Sequence, residues 1–180
     1  MGQPKMLLPW GKLTVIEQVI TSLLNAGIND MVVVTGGAEE QVRRAIEAYP
    51  IQTVHNPDFV TGEMVSSLRR GLKALPSHVE ATLIALGDQP QLQEETIRAV
   101  CEAHQESAAR LVVPSFQMRR GHPWIVARPL WDEILALESP ESPRDFLNKH
   151  ADEIYYVSVN TPSILADLDT PEDYQQAHPL

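Results

Sequence analysis

An aspartate that could bind a metal ion follows a short apolar run near the middle of the chain. The run covers residues 82–86 and stops at Gly87-Asp88-Gln89-Pro90. An unbroken apolar run that ends in turn residues predicts a strand buried on both faces of a parallel sheet. Ligands of such sheets bind beyond the carboxyl ends of the strands, where Asp88 would lie. A carboxylate there suits Mg²⁺, which prefers one or two carboxylates with substrate phosphates, although an ordinary loop aspartate fits this run equally well.

Helices and short strands alternate around this run. The capping-box spacing of Thr14 and Glu17, followed by an apolar stripe, predicts a helix that ends at Gly27. A last helix is predicted after Thr170, with Pro171 at its first position. Further strands are predicted at 31–35, 51–54, 111–114, 124–127 and 154–159, and further helices at 38–49, after the loop 56–62, and at 93–105, 130–137 and 144–149. This alternation predicts one α/β domain over residues 1–180, with helices on both faces of a mostly parallel, twisted sheet.

Composition limits the class of protein. The 180 residues are 43% hydrophobic and 21% charged, which is typical of one globular domain. No apolar run reaches the roughly 18 residues that span a membrane, and the N-terminus lacks a secretory pattern. Cys101 is the single cysteine, so it excludes an internal disulfide and a cysteine cluster for zinc, and its helical setting predicts a small buried hydrophobe. We expect a cytoplasmic protein.

The balance of charges bears on possible partners. The formal net charge is −10, which argues against binding to a nucleic-acid backbone, because that backbone requires a clustered basic face. A nucleotide substrate remains compatible with this charge, since a few local cations and Mg²⁺ can hold a triphosphate inside an acidic protein.

Five motifs in one order support a specific resemblance. They are the segment from Met1-Gly2-Gln3-Pro4-Lys5 to Trp10, Asn56-Pro57 with Gly62 to Leu68, Gly87-Asp88-Gln89-Pro90, Gly121-His122-Pro123, and Asp167 to Asp173. Together they resemble the MobA-like nucleotidyltransferases, nearest to the MocA-type molybdenum cofactor cytidylyltransferases. The resemblance covers nearly the whole chain and implies a three-layer α/β/α, Rossmann-like nucleotidyltransferase fold.

The resemblance also implies a reaction. A Mg²⁺-dependent enzyme of this kind moves an NMP group from an NTP, here CTP, to a phosphorylated acceptor, here molybdopterin, and releases pyrophosphate. The product would pass to a molybdoenzyme or a chaperone. GTP or ATP as donor, and a sugar phosphate as acceptor, are alternatives within the same class.

The resemblance assigns the metal and phosphate residues. Lys5 would contact the triphosphate and the charge that develops at the α-phosphate. Asp88 and Asp169 would bind Mg²⁺, with Asp167 as the alternative second ligand. A solvated terminal lysine is the structural alternative for Lys5.

Two further groups would bind the substrates. Asn56, Gly62, Ser66 and Ser67 would contact the base and ribose, and Arg119, Arg120, Gly121 and His122 would face the acceptor. Purely structural alternatives are a helix cap for the two serines, a turn for Asn56, and a packing role for His122. Trp10 and Trp124 are predicted to be packing residues.

The sequence departs from the family pattern at its N-terminus. The family's first strand and its Leu-Ala-Ala-Gly loop have no counterpart ahead of Met1, so we expect an N-terminally truncated domain that lacks this strand. A non-catalytic protein that binds a nucleotide or cofactor is the alternative from another functional class.

Overall fold

The computed structural model describes residues 4–178, without the side chain of Glu63, so the predicted roles of Met1, Gly2 and Gln3 lie outside the described residues. The strands are β1 (Pro9–Trp10), β2 (Leu13–Thr14), β3 (Val32–Thr35), β4 (Gln52–His55), β5 (Ala81–Ile84), β6 (Leu111–Phe116), β7 (Arg119–Arg120), β8 (Trp124–Ala127) and β9 (Ile154–Ser158). The helices are α1 (Val15–Asn25), α2 (Glu39–Ala45), α3 (Glu63–Ala74), α4 (Glu94–Ser107), α5 (Trp131–Ala136), α6 (Pro143–Lys149) and α7 (Pro171–Ala177). Short 3₁₀ helices cover Lys5–Leu7, Arg128–Leu130, Ala151–Glu153 and Pro162–Leu165.

The largest sheet is built around β6. This strand pairs in parallel with β9 and antiparallel with β7 and β8, and β8 pairs antiparallel with β5. β8 lies between β5 and β6 and runs antiparallel to both, so β5, β6 and β9 all run in the same direction. β3 and β4 form a separate parallel pair, and β1 and β2 a short antiparallel one. The predicted α/β class is confirmed, and the observed sheet is mixed.

Helices cover both faces of the strands that lead to the site. Val33 of β3 packs in the cluster that contains Ile16 and Ile20 of α1. The next residue, Val34, approaches α3 instead, where a Cβ on Gly71 would lie 3.3 Å from it. Successive residues of a strand point to opposite faces, so α1 and α3 lie on opposite sides of β3. This arrangement gives the predicted three layers.

β5, the strand predicted to be buried on both faces, packs against hydrophobic clusters on both faces but is less buried than expected, and β3 shares this partial exposure. The first three residues of each strand are only half-buried, whereas 111–114 and 124–127 are buried throughout. The reason lies in the strand pairing. Among the described residues β3 pairs only with β4, and β5 only with β8. Within residues 4–178, each of these two strands therefore has one edge without a hydrogen-bonded neighbour.

The short strands β1, β2 and β7 were not predicted from the sequence. β1 and β2 flank Gly11, whose φ of 61° permits a tight turn. No strand was predicted between residues 114 and 124, but Arg119–Arg120 forms β7. Gln117 and Met118 both have positive φ, 49° and 64°, as a two-residue hairpin turn of type I′ requires. Neither residue type signals that turn.

The helix boundaries follow the predicted caps. The capping box of Thr14 with Glu17 is present, and Gly27 adopts a φ of 96° just after α1. Thr170 caps α7 through Asp173. α2 is shorter than predicted and ends at Ala45. Within residues 4–178, no helix has the length and apolar character needed to cross a bilayer.

Candidate active site

The ammonium group of Lys5 lies between two carboxylates. Its Nζ donates to Asp88 Oδ2 at 2.6 Å and to Asp169 Oδ1 at 3.2 Å. Burial alone would lower the pKa of Lys5, but the hydrogen bonds and charges of Asp88 and Asp169 outweigh it, so the net shift is upward. The pair of carboxylates thus holds a cation at neutral pH.

Three separate segments bring these groups together. Lys5 begins a 3₁₀ helix, Asp88 lies in the turn that follows β5, and Asp169 stands directly before the cap of α7. Leu168 fixes the last segment: its amide donates to the carbonyl of Asp88 at 3.2 Å, and its side chain is buried with Trp10. The predicted metal and phosphate residues are therefore neighbours in space.

Asp167 has a different environment from Asp169. Its Oδ1 accepts a 2.6 Å hydrogen bond from Gln89 Nε2. Burial raises the pKa of Asp167, the hydrogen bond from Gln89 opposes that shift, and the charges of Asp88 and Asp169 add to it. Asp167 is thus held by the Gln89 amide, whereas Asp169 faces Lys5.

Gln89 is a site residue that the sequence reasoning missed. Its side chain is 1% exposed. Besides Asp167 it reaches the carbonyl of Ile164 at 3.4 Å, an oxygen that also accepts from the backbone amide of His122 at 3.0 Å. The only signal in the sequence was its place beside Asp88.

The donor set fits a divalent metal that is shared with a phosphate. Across residues 4–178, no three His, Cys, Asp or Glu side chains are arranged to bind a metal by themselves. Asp88 and Asp169, however, converge on one position that already accommodates the charge of Lys5. Two carboxylates completed by substrate oxygens match the preference of Mg²⁺.

A second group of predicted residues surrounds the start of α3. Asn56 is fully buried, and its Nδ2 donates to Ser66 Oγ at 2.7 Å and to Ser67 Oγ at 3.1 Å. Its Oδ1 accepts from the amide of Asp58 at 3.1 Å. A Cβ on Gly62 would lie 2.4 Å from the Cβ of Ser66, so a glycine is required there. Asn56 therefore ties the 56–62 loop to α3.

An exposed aromatic ring lies beside this loop. Phe59 is 44% exposed, although it is a large apolar residue. A Cβ on Gly37 would lie 2.7 Å from its ring, so the Gly36-Gly37 turn leaves the space that Phe59 fills. This turn follows β3, and the loop follows β4, at the edge where open α/β sheets bind ligands.

The Gly121-His122-Pro123 segment approaches the site from β8. A Cβ on Gly121 would lie 2.3 Å from the carbonyl oxygen of Ile164, which excludes any side chain there. Burial lowers the pKa of His122 to about 4, and the nearby Asp88 carboxylate opposes that shift only in part. His122 is therefore neutral at neutral pH. Its ring lies against Trp124, and the bond to Pro123 is cis.

The two predicted arginines differ in their contacts. Arg120 donates to the hydroxyl of Tyr156 at 2.8 Å and to Asn148 Oδ1 at 2.9 Å. These contacts hold Arg120 against β9 and α6. Arg119, on the same short strand, is exposed. Trp10 and Trp124 are buried, as predicted for packing residues.

Comparison with known proteins identifies relatives of the whole chain. A family model described as "MobA-like NTP transferase domain" matches residues 1–154. The chain is 28% identical over 178 residues to the molybdenum cofactor cytidylyltransferase of Escherichia coli K12, covering 97% of this chain and 86% of that protein. It is 29% identical over 177 residues to the nicotine blue oxidoreductase of Paenarthrobacter nicotinovorans, covering 94% and 85%.

A solved structure has the same fold. The crystal structure of Rv0371c from Mycobacterium tuberculosis in complex with manganese superimposes with a TM-score of 0.80. The two chains are 24% identical, and the match covers 97% of this chain and 91% of that one. The two proteins thus share one α/β fold over nearly the whole of this chain.

Proposed function

The chain belongs to the MobA-like NTP transferase family, and from that premise we propose that this nucleotidyltransferase moves CMP from CTP to the phosphate of molybdopterin. A phosphate oxygen of the acceptor attacks the α-phosphorus of CTP, and the bond from that phosphorus to the bridging oxygen of the β-phosphate breaks. Pyrophosphate leaves with the electron pair. The observation that carries the proposal is the convergence of Asp88 and Asp169 on one cation position.

The two carboxylates would hold a divalent metal. Asp88 and Asp169 supply anionic oxygens, and the manganese in the Rv0371c structure supports a divalent ion in this fold. Such an ion neutralises the charge of phosphate oxygens when it is bound. We assign Mg²⁺ because two carboxylates plus phosphate oxygens are its usual ligand set.

Lys5 would move its charge to the triphosphate. In the described structure its ammonium is paired with Asp88 and Asp169. With Asp88 and Asp169 holding a divalent ion, the ammonium of Lys5 would be free to pair with the anionic substrate. There it would stabilise the negative charge that develops as pyrophosphate departs.

The loop 56–62 and the start of α3 would bind the nucleoside. Ser66 and Ser67 offer hydroxyl groups held by Asn56, and hydroxyls of this kind can bond to a base edge or a ribose. Phe59 offers an exposed ring on which a base can stack. CTP is the preferred donor because the E. coli relative is named a cytidylyltransferase.

His122 and Gly121 would shape the acceptor side. Gly121 allows the Ile164 carbonyl to approach closely, and neutral His122 can offer a ring N–H without adding charge. Arg119 is exposed and able to attract the acceptor phosphate. Molybdopterin is the proposed acceptor, by similarity to the E. coli enzyme.

A substrate panel tests this assignment. Pyrophosphate release is measured with CTP, GTP or ATP, each with Mg²⁺ and with either molybdopterin or a hexose 1-phosphate as acceptor. We expect release with CTP and molybdopterin, at a rate well above every other combination. Pyrophosphate release that requires a sugar phosphate would overturn molybdopterin as the acceptor. A preference for GTP or ATP would overturn CTP as the donor.

A further inference from the structure

Gln89, the residue after Asp88, binds the segment that carries Asp167 and Asp169. Gln89 Nε2 donates to Asp167 Oδ1 at 2.6 Å, across 78 positions of sequence. The same amide nitrogen reaches the Ile164 carbonyl at 3.4 Å. Gln89 thus contacts both ends of the segment 164–167, while the adjacent Asp88 shares Lys5 with Asp169.

The orientation of the Gln89 amide is determined by this contact. If the amide were reversed, Oε1 would face the carboxylate of Asp167 and the carbonyl of Ile164, both of which only accept hydrogen bonds. The observed orientation leaves Oε1 buried and without a donor among the described residues. Leaving a buried acceptor unpaired is costly, so the contact with Asp167 needs an explanation.

The contact also separates the roles of two aspartates. Asp167 and Asp169 are two positions apart on a non-helical stretch and are chemically identical. Asp167 accepts a hydrogen bond from the buried Gln89 amide, whereas Asp169, whose side chain is 72% exposed, pairs with Lys5. The two aspartates thus have different partners, Gln89 for Asp167 and Lys5 for Asp169.

We propose that Gln89 is a positioning residue for the metal ligands, acting through Asp167. This inference rests on the proposed function, because it takes Asp88 and Asp169 as the ligands. Removing the amide frees Asp167 and loosens the segment that presents Asp169. The affinity for a divalent ion then falls, even though Gln89 touches neither the metal nor the substrate.

Mn²⁺ binding tests the inference without any catalytic turnover. Free Mn²⁺ is titrated by electron paramagnetic resonance against the full chain as wild type, Gln89→Leu, Asp167→Ala and the double variant. Residues that hold a metal ligand in place are typically worth about tenfold or more in affinity, so Gln89→Leu should bind Mn²⁺ roughly tenfold more weakly. In the Asp167→Ala background the Gln89 change should have no further effect.

A second variant separates positioning from general loss of packing. Ile164→Val removes one methylene from a residue that is 1% exposed in the same segment and keeps the backbone carbonyl. It should lower the melting temperature and leave Mn²⁺ affinity unchanged. Gln89→Leu with wild-type affinity, or losses that multiply in the double variant, would overturn the inference.

The outcomes also distinguish this inference from the proposed reaction. Wild-type protein that binds Mn²⁺ with the predicted coupling, yet releases no pyrophosphate from any NTP, would overturn the reaction alone. Wild-type protein that binds no Mn²⁺ would overturn the metal site and the role of Gln89 together.

Discussion

Lys5 and Asp88, 83 positions apart in the sequence, form an ion pair with 2.6 Å between Nζ and Oδ2. The ammonium occupies the position between Asp88 and Asp169 that the proposed mechanism gives to a divalent ion. Under the proposed mechanism, lysine and metal would compete for the same carboxylates, and substrate phosphates would be the alternative partner for the lysine. This exchange has a consequence that can be measured.

Removing the lysine should affect metal binding and turnover in opposite directions. Lys5→Ala deletes the competing cation, so Mn²⁺ in the absence of NTP should bind about two- to fivefold more tightly, the equivalent of a partly exposed ion pair. Turnover should fall by roughly a hundredfold, because a charge that stabilises the departing phosphates is lost. Lys5→Arg is the matched control and should retain part of the activity. Weaker Mn²⁺ binding in Lys5→Ala would contradict the competition.

Asn56 should matter for stability as well as for the nucleotide. Asn56→Ala removes a buried amide that holds Ser66, Ser67 and the loop 56–62, so the free energy of unfolding should fall by about 1–3 kcal/mol. Urea denaturation measures this change, with exposed Asn29→Ala as the control. Ser67→Ala should leave stability nearly unchanged and raise the KM for CTP. A KM equal to that of the wild type would remove Ser67 from the nucleotide site.

Protonation of His122 should destabilise the fold in mild acid. Its pKa is about 4 in the folded protein and ordinarily about 6.5, so the unfolded chain binds the extra proton between these values. The stability that depends on a neutral His122 is fully present above pH 6.5 and is lost as pH falls toward 4. The free energy of unfolding is measured by urea denaturation at several pH values. Between pH 6.5 and 4 it should change less steeply with pH for His122→Asn than for the wild type. Parallel slopes would show that His122 is not the responsible group.

The glycine beside His122 should not tolerate a side chain. A Cβ at Gly121 would lie 2.3 Å from the Ile164 carbonyl oxygen, a backbone atom that also binds Gln89 and His122. Gly121→Ala should therefore cost about 2 kcal/mol or more of stability and disturb Mn²⁺ binding. Gly71→Ala is the matched control, because its Cβ would meet Val34 at 3.3 Å, and the gain in helix propensity offsets that contact. Equal melting temperatures for the two variants would contradict this packing.

The sequence predicted which residues form the carboxylate cluster, but it did not predict which partner each aspartate binds. Asp88 was predicted because an apolar run ends beside it, and Asp169 because it precedes the capped helix α7. Asp169 was preferred and Asp167 kept as the alternative, and the structure places Asp169 beside Lys5 and Asp167 against Gln89. The contact of Asp167 with Gln89 spans 78 positions, and such a contact has no local signal in the sequence.

The fold was predictable where local signals are strong. The caps at Thr14 and Thr170 placed α1 and α7 correctly, because each side chain satisfies amides of its own helix. β7 was missed because its turn uses Gln117 and Met118 at positive φ, where glycine or asparagine is usual. The partial exposure of β3 and β5 was missed because lateral strand pairing is a tertiary property.

The most direct test of the central claim is pyrophosphate release from CTP and molybdopterin by the wild type and by three aspartate variants. With Mg²⁺ present, Asp88→Asn and Asp169→Asn should each lower the rate by roughly a hundredfold or more, since each removes charge from the proposed metal site. Asp132→Asn, which removes an exposed carboxylate on α5, should match the wild type. Wild-type release that Asp88→Asn leaves unchanged, or a wild type without CTP-dependent release, would contradict the account.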